Sequence, residues 1–354
     1  MLKPLKKRIS RKILLTKVSC FLIFISVCFP QIDYTISNEM KSGDGEELVS
    51  GQYVPYNYFE NLVDINLSYL RLNLYEQWEF SDPPQFGYPQ QKLNKVYLEY
   101  VDDDLMVKLG DIYTLYGRGL GLNLFQDQSL DFDNSLRGVE FSYSHDDGFK
   151  LFGLGGRGLF EYKSTPSSRY NDKSIQNSVT AFGAEIWLPW LSSNVIMFNV
   201  NQDIESMSVG GDAENIHIDI NNFGLNGLWG PIDFYLEKSW LDWSKEGEYD
   251  ELNNPIHHKG DFLYTALSFD LLGFGITHEF KDYDAQDFLL SISNSPIVFR
   301  ESPSTLVSRN IHLINFTDEV GHQLEIMKRI SENYNLIFNY SLSYRNHGFS
   351  QKVF

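Results

Sequence analysis

The chain has 354 residues, with 47 acidic side chains against 29 basic ones and a formal net charge of -18 at pH 7. This acidic balance argues against nucleic acid as a partner, because phosphate binding requires a basic face. A hydrophobic fraction of 42% excludes a wholly disordered chain, and the 15% of aromatic residues favours β structure and membrane-water interfaces. The length allows about two ordinary domains or one large all-β unit.

Residues 1–30 have the composition of a secretory signal peptide. Seven Lys or Arg residues fall within residues 1–17, no acid precedes residue 31, and the apolar run VSCFLIFISVCFP follows the basic stretch. That order is typical of an export signal, and the apolar run is shorter than the roughly 20 residues that span a bilayer. Two alternatives stay open: an anchor that is not cleaved, and lipidation of Cys28, although Val27 stands where a small residue is expected.

The chain after this signal carries no cysteine, because Cys20 and Cys28 are the two in the sequence. Small secreted domains usually depend on disulfides, whereas a closed barrel pairs its backbone groups without them. Residues 31–54 are polar and acidic, and we expect a flexible N-terminal tail there. Residues 55–354 are then expected to form one outer-membrane β-barrel.

Alternation of apolar and polar residues recurs along residues 55–354 and predicts about 15 strands. Over residues 336–344 the sequence LIFNYSLSY separates Leu, Phe and Tyr from Asn and Ser. Over residues 216–221 three isoleucines alternate with His, Asp and Asn. No run of 18 apolar residues follows residue 30, which excludes transmembrane helices. Residues 62–75 change face near Tyr69 and Leu70, and this change predicts a bulge.

Such strands fit a soluble fold that buries its apolar face or a membrane barrel that turns this face to lipid. Small and polar residues dominate the second face, aromatic residues cluster near strand ends, and short polar turns alternate with long polar loops, as in outer-membrane barrels. We therefore predict an all-β fold, an antiparallel transmembrane β-barrel of about 14–16 strands. Whether residues 349–354 form a short closing strand or the chain is incomplete at its C-terminus stays open.

Residues 110–135 depart from plain alternation and read GDIYTLYGRGLGLNLFQDQSLDFDNS, followed by LRGV. The glycines permit tight bends and close backbone packing. Arginines among acids can form bidentate pairs that fix orientation. We expect this stretch to fold into the barrel lumen. The candidate lumen or plug motif consists of Asp111, Tyr113, Gly117, Arg118, Gly119, Asp127, Asp131, Asp133, Arg137 and Gly138.

The G-D-x-Y, G-R-G-L and L-R-G-V groups of this stretch resemble an uncharacterised family of Gram-negative outer-membrane β-barrel proteins. The resemblance covers about residues 55–160 and is diffuse beyond them. It implies the barrel fold and an outer-membrane location, and it implies no particular activity, because none is established for the family.

Two readings of Arg118 and Arg137 stay open. In the structural reading, the two side chains tie an infolded segment to the barrel wall. In the functional reading, they line a constriction that selects a solute. Both readings place the guanidinium groups in the barrel or its plug. Their expected partners are Asp111, Asp127, Asp131 and Asp133.

No catalytic or metal-binding motif accompanies this stretch. The sequence lacks HExxH, GxSxG and P-loop patterns, and its eight histidines are scattered, with His257 and His258 in a polar loop. The acidic clusters at 242–251 and 282–287 lack the spacing of a calcium loop. We expect no enzymatic activity, no cofactor and no metal.

The sequence thus predicts a porin-like channel or transporter for small solutes, exported to the outer membrane of a Gram-negative bacterium. Its expected partners are outer-membrane lipids and small solutes, and no oligomeric state follows from the sequence. Two alternatives stay open: a closed structural or interaction barrel of the cell envelope, and a soluble secreted β-sandwich binding module.

Overall fold

The computed structural model describes residues 32–49, 51–84, 89–127, 132–145, 148–162, 173–208, 214–285, 318–332, 334–345 and 351–353. They fall into two compact units, residues 1–110 and 111–354. Sixteen strands pair with antiparallel neighbours in sequence order, and four shorter strands form two small ribbons. The all-β prediction and the predicted strand number are confirmed. Among the described residues, no helix is long and apolar enough to cross a membrane.

The first unit is a run of consecutive hairpins in which each strand pairs antiparallel with the next. Its fifth strand ends just inside the second unit. The strands are β1 Ile32–Val49, β2 Gln52–Tyr69, β3 Leu72–Ser81, β4 Gln90–Val101 and β5 Leu105–Ile112.

A tight turn, and not a bulge, explains the change of face predicted near Tyr69 and Leu70. Leu70 has a φ of 53° between β2 and β3, and the guanidinium of Arg71 in the same turn pairs with Asp102. The register shift of this region lies further along, at Gln77 and Trp78 opposite β4. The prediction of a bulge near Tyr69 is therefore wrong.

Residues 31–54, expected to be a flexible tail, contain β1 and the beginning of β2. The two strands pair along their whole length, from Ile32 opposite Tyr69 to Val49 opposite Gln52. The backbone of the connecting turn is left-handed at Gly51, with a φ of 83°. The polar composition misled the prediction because hydrogen bonds of the backbone, which any residue can make, hold this hairpin.

The second unit contains the two ribbons and the longer ladder strands, each of which pairs antiparallel with the next. Its last strand lies within the segment 349–354, for which the sequence left a short closing strand and an incomplete chain as alternatives. The ribbon strands are β6 Leu115–Tyr116, β7 Leu122–Asn123, β8 Gln126–Asp127 and β9 Phe132–Asp133. The ladder strands are β10 Leu136–His145, β11 Phe149–Tyr162, β12 Lys173–Leu188, β13 Ser193–Ser208, β14 Glu214–Trp229, β15 Ile232–Tyr249, β16 Pro255–Leu271, β17 Phe274–Asp284, β18 Asp318–Ser331, β19 Tyr334–Arg345 and β20 Gln351–Val353. A 3-10 turn at Pro189–Leu191 joins β12 to β13.

Cross-strand pairing defines two faces in this unit. One row runs from Glu237 on β15 through Tyr264, Lys281 and Gly321 to Ser343 on β19. We call the face that carries this row the inner face and the opposite face the outer face. Because side chains alternate along each strand, the register then assigns all remaining residues of the ladder strands to the inner or the outer face.

On β19 the outer face is apolar, in agreement with the alternation of residues 336–344. Leu336, Phe338 and Tyr340 lie on it and are each about half exposed, at 50%, 52% and 53%. On the inner face the amide of Asn339 donates to Glu325 of β18 at 3.3 Å. This pair of strands therefore has the polarity that a membrane barrel requires.

On β14 the polarity is reversed. Ile218 and Ile220 are fully buried on the inner face, whereas His217 and Asp219 on the outer face are 45% and 43% exposed. The isoleucines share a hydrophobic core with leucines of the segment before β10. The expectation that the apolar face of residues 216–221 is turned to lipid is therefore wrong.

We predict that Phe338→Arg lowers the stability of the inserted protein by about 2–4 kcal/mol, because it brings a charge into the apolar band of the bilayer. Asn339→Arg is the matched control and should cost far less, since its side chain lies on the inner face beside Glu325. Denaturant unfolding in lipid vesicles measures both losses. Equal losses would show that the faces are assigned wrongly.

Candidate functional site

Residues 113–135, which we call the inserted segment, connect β5 to β10. Two ribbons shape the segment, with Leu115 opposite Asn123 and Gln126 opposite Asp133. Three leucines of the segment are 0%, 0% and 2% exposed and join the hydrophobic core with inner-face residues of β11–β16: Leu120, Leu122 and Leu124. The inserted segment therefore packs against the inner face of the second unit.

Aromatic rings and a glycine make this contact close. The ring of Tyr116 lies 4.4 Å from that of Phe152 and 5.5 Å from that of Phe198, measured between centroids. A Cβ at Gly121 would lie 2.7 Å from the Phe198 ring, so only glycine fits there without displacement. Burial raises the pKa of the Tyr116 hydroxyl above its usual value. The contact is thus a closely packed apolar interface in which the Tyr116 hydroxyl is buried.

The carboxylate of Glu237 anchors the inserted segment to β15. It is 0% exposed and accepts the backbone N–H of Arg118 at 2.6 Å and a backbone hydrogen bond from Leu120. The side chains of Asn222 and Tyr235 also donate to it, the former at 2.8 Å. Backbone N–H groups of one turn that converge in this way form an anion-binding concavity. Here the anion is the Glu237 carboxylate of β15, and it occupies a concavity formed by the backbone of the inserted segment.

The glycines of the G-R-G-L group make this concavity possible. Gly117 and Gly119 have φ values of 62° and 89°, in the left-handed region that favours glycine. A Cβ at Gly117 would lie 2.6 Å from the Glu237 carboxylate. The motif is therefore explained by a contact with a residue more than a hundred positions away in the sequence.

The side chain of Arg118 does not make the expected ion pair with the described acids of the motif. Its guanidinium carbon lies 4.9 Å from the centroid of the Tyr235 ring, within the range of a cation-π contact. The residue is exposed. Arg118 therefore presents a positive charge at the surface of the inserted segment while its backbone holds Glu237.

Arg137 and Asp111 form a bidentate pair. Nε of Arg137 donates to one carboxylate oxygen of Asp111 at 2.8 Å and Nη2 donates to the other at 3.0 Å. The side chain of Asp111 is 7% exposed and that of Arg137 is 62% exposed. Alternation along β10 places Arg137 on the outer face, because Leu136 is buried in the inner-face core. Arg137 thus ties the start of β10 to the end of β5 from the outer face.

Polar contacts close the other end of the inserted segment. The hydroxyl of Tyr113 donates to Asp133 at 3.0 Å, and the side chain of Asn134 accepts from the backbone of Phe125 at 2.7 Å and donates to that of Asn123 at 2.8 Å. Burial, reinforced by the negative charge of Asp133, raises the pKa of Tyr113. These bonds hold the return of the segment toward β10.

Three other predicted motif residues have different outcomes. Gly138 allows a close approach, because a Cβ there would lie 2.0 Å from the carbonyl oxygen of Gly155. Asp131 lies outside the described residues, and for Asp127 only the backbone, in β8, is described.

Sequence reasoning missed Glu237, Asn222 and Asn134. The only local signal for Glu237 is an acid on the same strand face as Tyr235 and Ser239. Its partners, in the G-R-G-L group, are brought to it only by the fold. Within the described ranges, no three His, Cys, Asp or Glu side chains converge on a possible metal site.

A second buried cluster gives the inner face of β17–β19 a charged character. The ammonium of Lys281 lies 3.0 Å from the carboxylate of Glu319, and both side chains are 2% exposed. The hydroxyl of Ser343 donates to the same carboxylate. A buried ion pair requires such additional hydrogen bonds to offset its lost hydration. The inner face therefore carries an apolar core with a few buried polar groups beside the inserted segment and a buried ion pair further along the sheet.

A family model described as "Family of unknown function (DUF6029)" matches residues 44–347. The chain belongs to this family. The match extends well past residue 160, where the resemblance to a barrel family was expected to become diffuse. No curated protein matches the chain.

Among solved structures, the chain is similar to OpdO of Pseudomonas aeruginosa, with a TM-score of 0.50 and 11% identity over 91% of this chain and 83% of that one. It is also similar to OccK9 (OpdG) of Pseudomonas aeruginosa, with a TM-score of 0.49 and 12% identity over 91% and 86%. A third similar structure is the outer membrane channel DcaP of Acinetobacter baumannii, with a TM-score of 0.44 and 10% identity over 92% and 94%. The predicted fold, an antiparallel transmembrane β-barrel, is confirmed.

We predict that Gly117→Ala destabilises the protein by about 2–5 kcal/mol, because left-handed backbone costs an alanine ~1–2 kcal/mol and the conflict with Glu237 adds ~1–3 kcal/mol. Gly230→Ala is the matched control, since Gly230 has a φ of 61° and nothing within 4 Å of its Cβ position. Denaturant unfolding gives the stability, and limited proteolysis reports release of residues 113–135. If the two variants behave alike, the contact with Glu237 does not constrain position 117.

We predict that Arg137→Ala costs about 1–3 kcal/mol, because it removes two charge-assisted hydrogen bonds from the buried Asp111 carboxylate. Arg137→Lys should lose part of this stability, since an ammonium cannot reproduce the bidentate geometry. Adding Asp111→Ala to Arg137→Ala completes a double-mutant cycle in unfolding experiments. Additive losses in the cycle would mean that the pair is not coupled.

Proposed function

We propose that the protein is a porin-like channel of the Gram-negative outer membrane, in which the inserted segment narrows the lumen for small solutes. The single observation that carries this proposal is the anchoring of the segment to the inner face through Glu237. In a barrel fold the inner face lines the lumen, so a segment held there reduces its free cross-section.

The solute path proposed here follows the polar part of the inner face. Asn339 and Ser341, which are hydrogen bonded to each other and are not buried, mark this part, whereas the inserted segment covers the inner face of β11–β16. The Arg118 guanidinium is exposed at the surface of the segment and held against Tyr235. A fixed cation at a narrow point favours anionic groups and disfavours cations through its local field. In the functional reading of the sequence, Arg118 and Arg137 both line a constriction. In the present proposal, Arg118 alone lines it.

Export through residues 1–30 and insertion beside outer-membrane lipids are part of the same proposal. The basic and apolar stretches of those residues support it, and the barrel fold supports a membrane location. A heat-dependent change in gel migration of the outer-membrane fraction is the simple check of insertion.

Single-channel conductance in planar bilayers tests the proposal. We expect steady conductance from the wild-type protein and a larger conductance from Glu237→Gln, because an amide accepts weaker hydrogen bonds and loosens the turn at Arg118. Asp261→Asn is the control, because Asp261 lies on the outer face of β16, where it pairs with Lys238. Arg118→Ala should shift the reversal potential toward greater cation selectivity.

The second candidate function is a closed structural or interaction barrel. The complete burial of Leu120 and Leu122 favours it, since a contact without solvent-accessible surface leaves no room for a solute between the segment and the sheet. Absence of conductance after insertion has been verified, in both the wild-type protein and Glu237→Gln, would support this candidate and overturn the channel.

A further inference from the structure

We propose that the outer face of β13 and β14 is an interface between two copies of this chain. Four consecutive cross-strand pairs on this face are polar, and we call them the polar column. The pairs are Asn199 with Asn221, Asn201 with Asp219, Asp203 with His217, and Glu205 with Asn215. The inference rests on the barrel fold and is independent of whether the barrel conducts.

The polar column begins at a depth where β18 and β19 are apolar. Asn199 lies six residues beyond Ser193, the first residue of β13, and Tyr340 lies six residues beyond Tyr334, the first residue of β19. Both starts follow short turns, and six residues correspond to about 20 Å along a strand. Opposite Tyr340 stands Leu324, whereas opposite Asn199 stands Asn221. Contact with lipid is favourable for the pair of Tyr340 and Leu324 and unfavourable for the pair of Asn199 and Asn221.

Internal hydrogen bonds satisfy only part of this column. Asn199 donates to Asn221 at 3.2 Å, Asn201 donates to Asp219 at 2.7 Å, and His217 lies 2.8 Å from Asp203. Each amide and carboxylate has further donor or acceptor capacity that a hydrocarbon environment leaves unmet. A carboxylate on the lipid face carries an additional cost that depends on depth. A protein surface removes both costs by supplying partners.

The chemistry of the column favours a second copy of the chain as its partner. An asparagine side chain both donates and accepts, so a surface rich in asparagine can bond to its own image across a two-fold axis. Acids of the column meet cations at its margin, where Arg157 and Lys245 line a cavity of 590 Å³ together with Asp203, Glu205 and Glu246. That cavity has room for side chains of the other copy. The polar column of one copy and the polar column of the other thus form the two sides of the interface.

Cysteine cross-linking in intact outer membranes tests the interface. Asn221→Cys should give a species of twice the monomer mass when membranes are treated with a short bis-maleimide. Tyr340→Cys is the matched control on the outer face of β19, at the same distance from its turn, and should stay monomeric. The wild-type protein, treated in parallel, reports any reaction of Cys20 or Cys28.

A second measurement does not depend on the position of one cysteine. The double variant Asn199→Leu with Asn221→Leu should lose the dimer in native mass spectrometry while keeping its heat-dependent gel migration. A dimer that survives this change would overturn the proposal. So would cross-linking of Asn221→Cys to a different protein, or equal monomeric behaviour of Asn221→Cys and Tyr340→Cys.

Discussion

The arrangement of the second unit depends on one buried carboxylate. Glu237 is 0% exposed, and a charge taken out of water in this way is stable only when its oxygens are hydrogen bonded. The backbone of Arg118 and Leu120 supplies two of these bonds. The inserted segment therefore satisfies a charge on the sheet, and the sheet fixes the left-handed turns of the segment at Gly117 and Gly119. The buried carboxylate without the turn, or the left-handed turn without the carboxylate, would each lower the stability of the fold.

This mutual dependence explains why the polarity of the barrel wall changes from strand to strand. Beside the inserted segment, Val200 and Ile220 face inward and are fully buried. Further along the wall, Lys281, Glu319 and Ser343 face inward and form a hydrogen-bonded cluster. The buried apolar side chains of the inner face gather where the leucines of the segment cover it, around the polar groups of Glu237 and Asn222. The rule that a barrel lumen is polar holds for the part of the wall that the segment leaves open.

The alternation of residues 336–344 was enough to predict a strand with a lipid-facing side, because the inserted segment packs on other strands of the sheet. The same pattern in residues 216–221 gave the wrong face, since alternation states the period and not which side is covered. β1 was missed because a polar hairpin leaves no apolar pattern. Among the site residues, the G-R-G-L group was recognised by its glycines, but Glu237 was not, because the two are joined only through tertiary contact.

The inserted segment is held too firmly to leave the lumen as a whole. Burying a leucine is worth about 1.5–3 kcal/mol, so Leu120, Leu122 and Leu124 together contribute about 5–9 kcal/mol before Glu237 is considered. Withdrawal would expose these leucines and Ile220 to water and would strip the Glu237 carboxylate of its backbone donors. A population with the segment withdrawn is therefore small, because about 1.4 kcal/mol already corresponds to a factor of ten. In the proposed channel, a solute therefore passes beside a segment that stays in place and within reach of the Arg118 guanidinium.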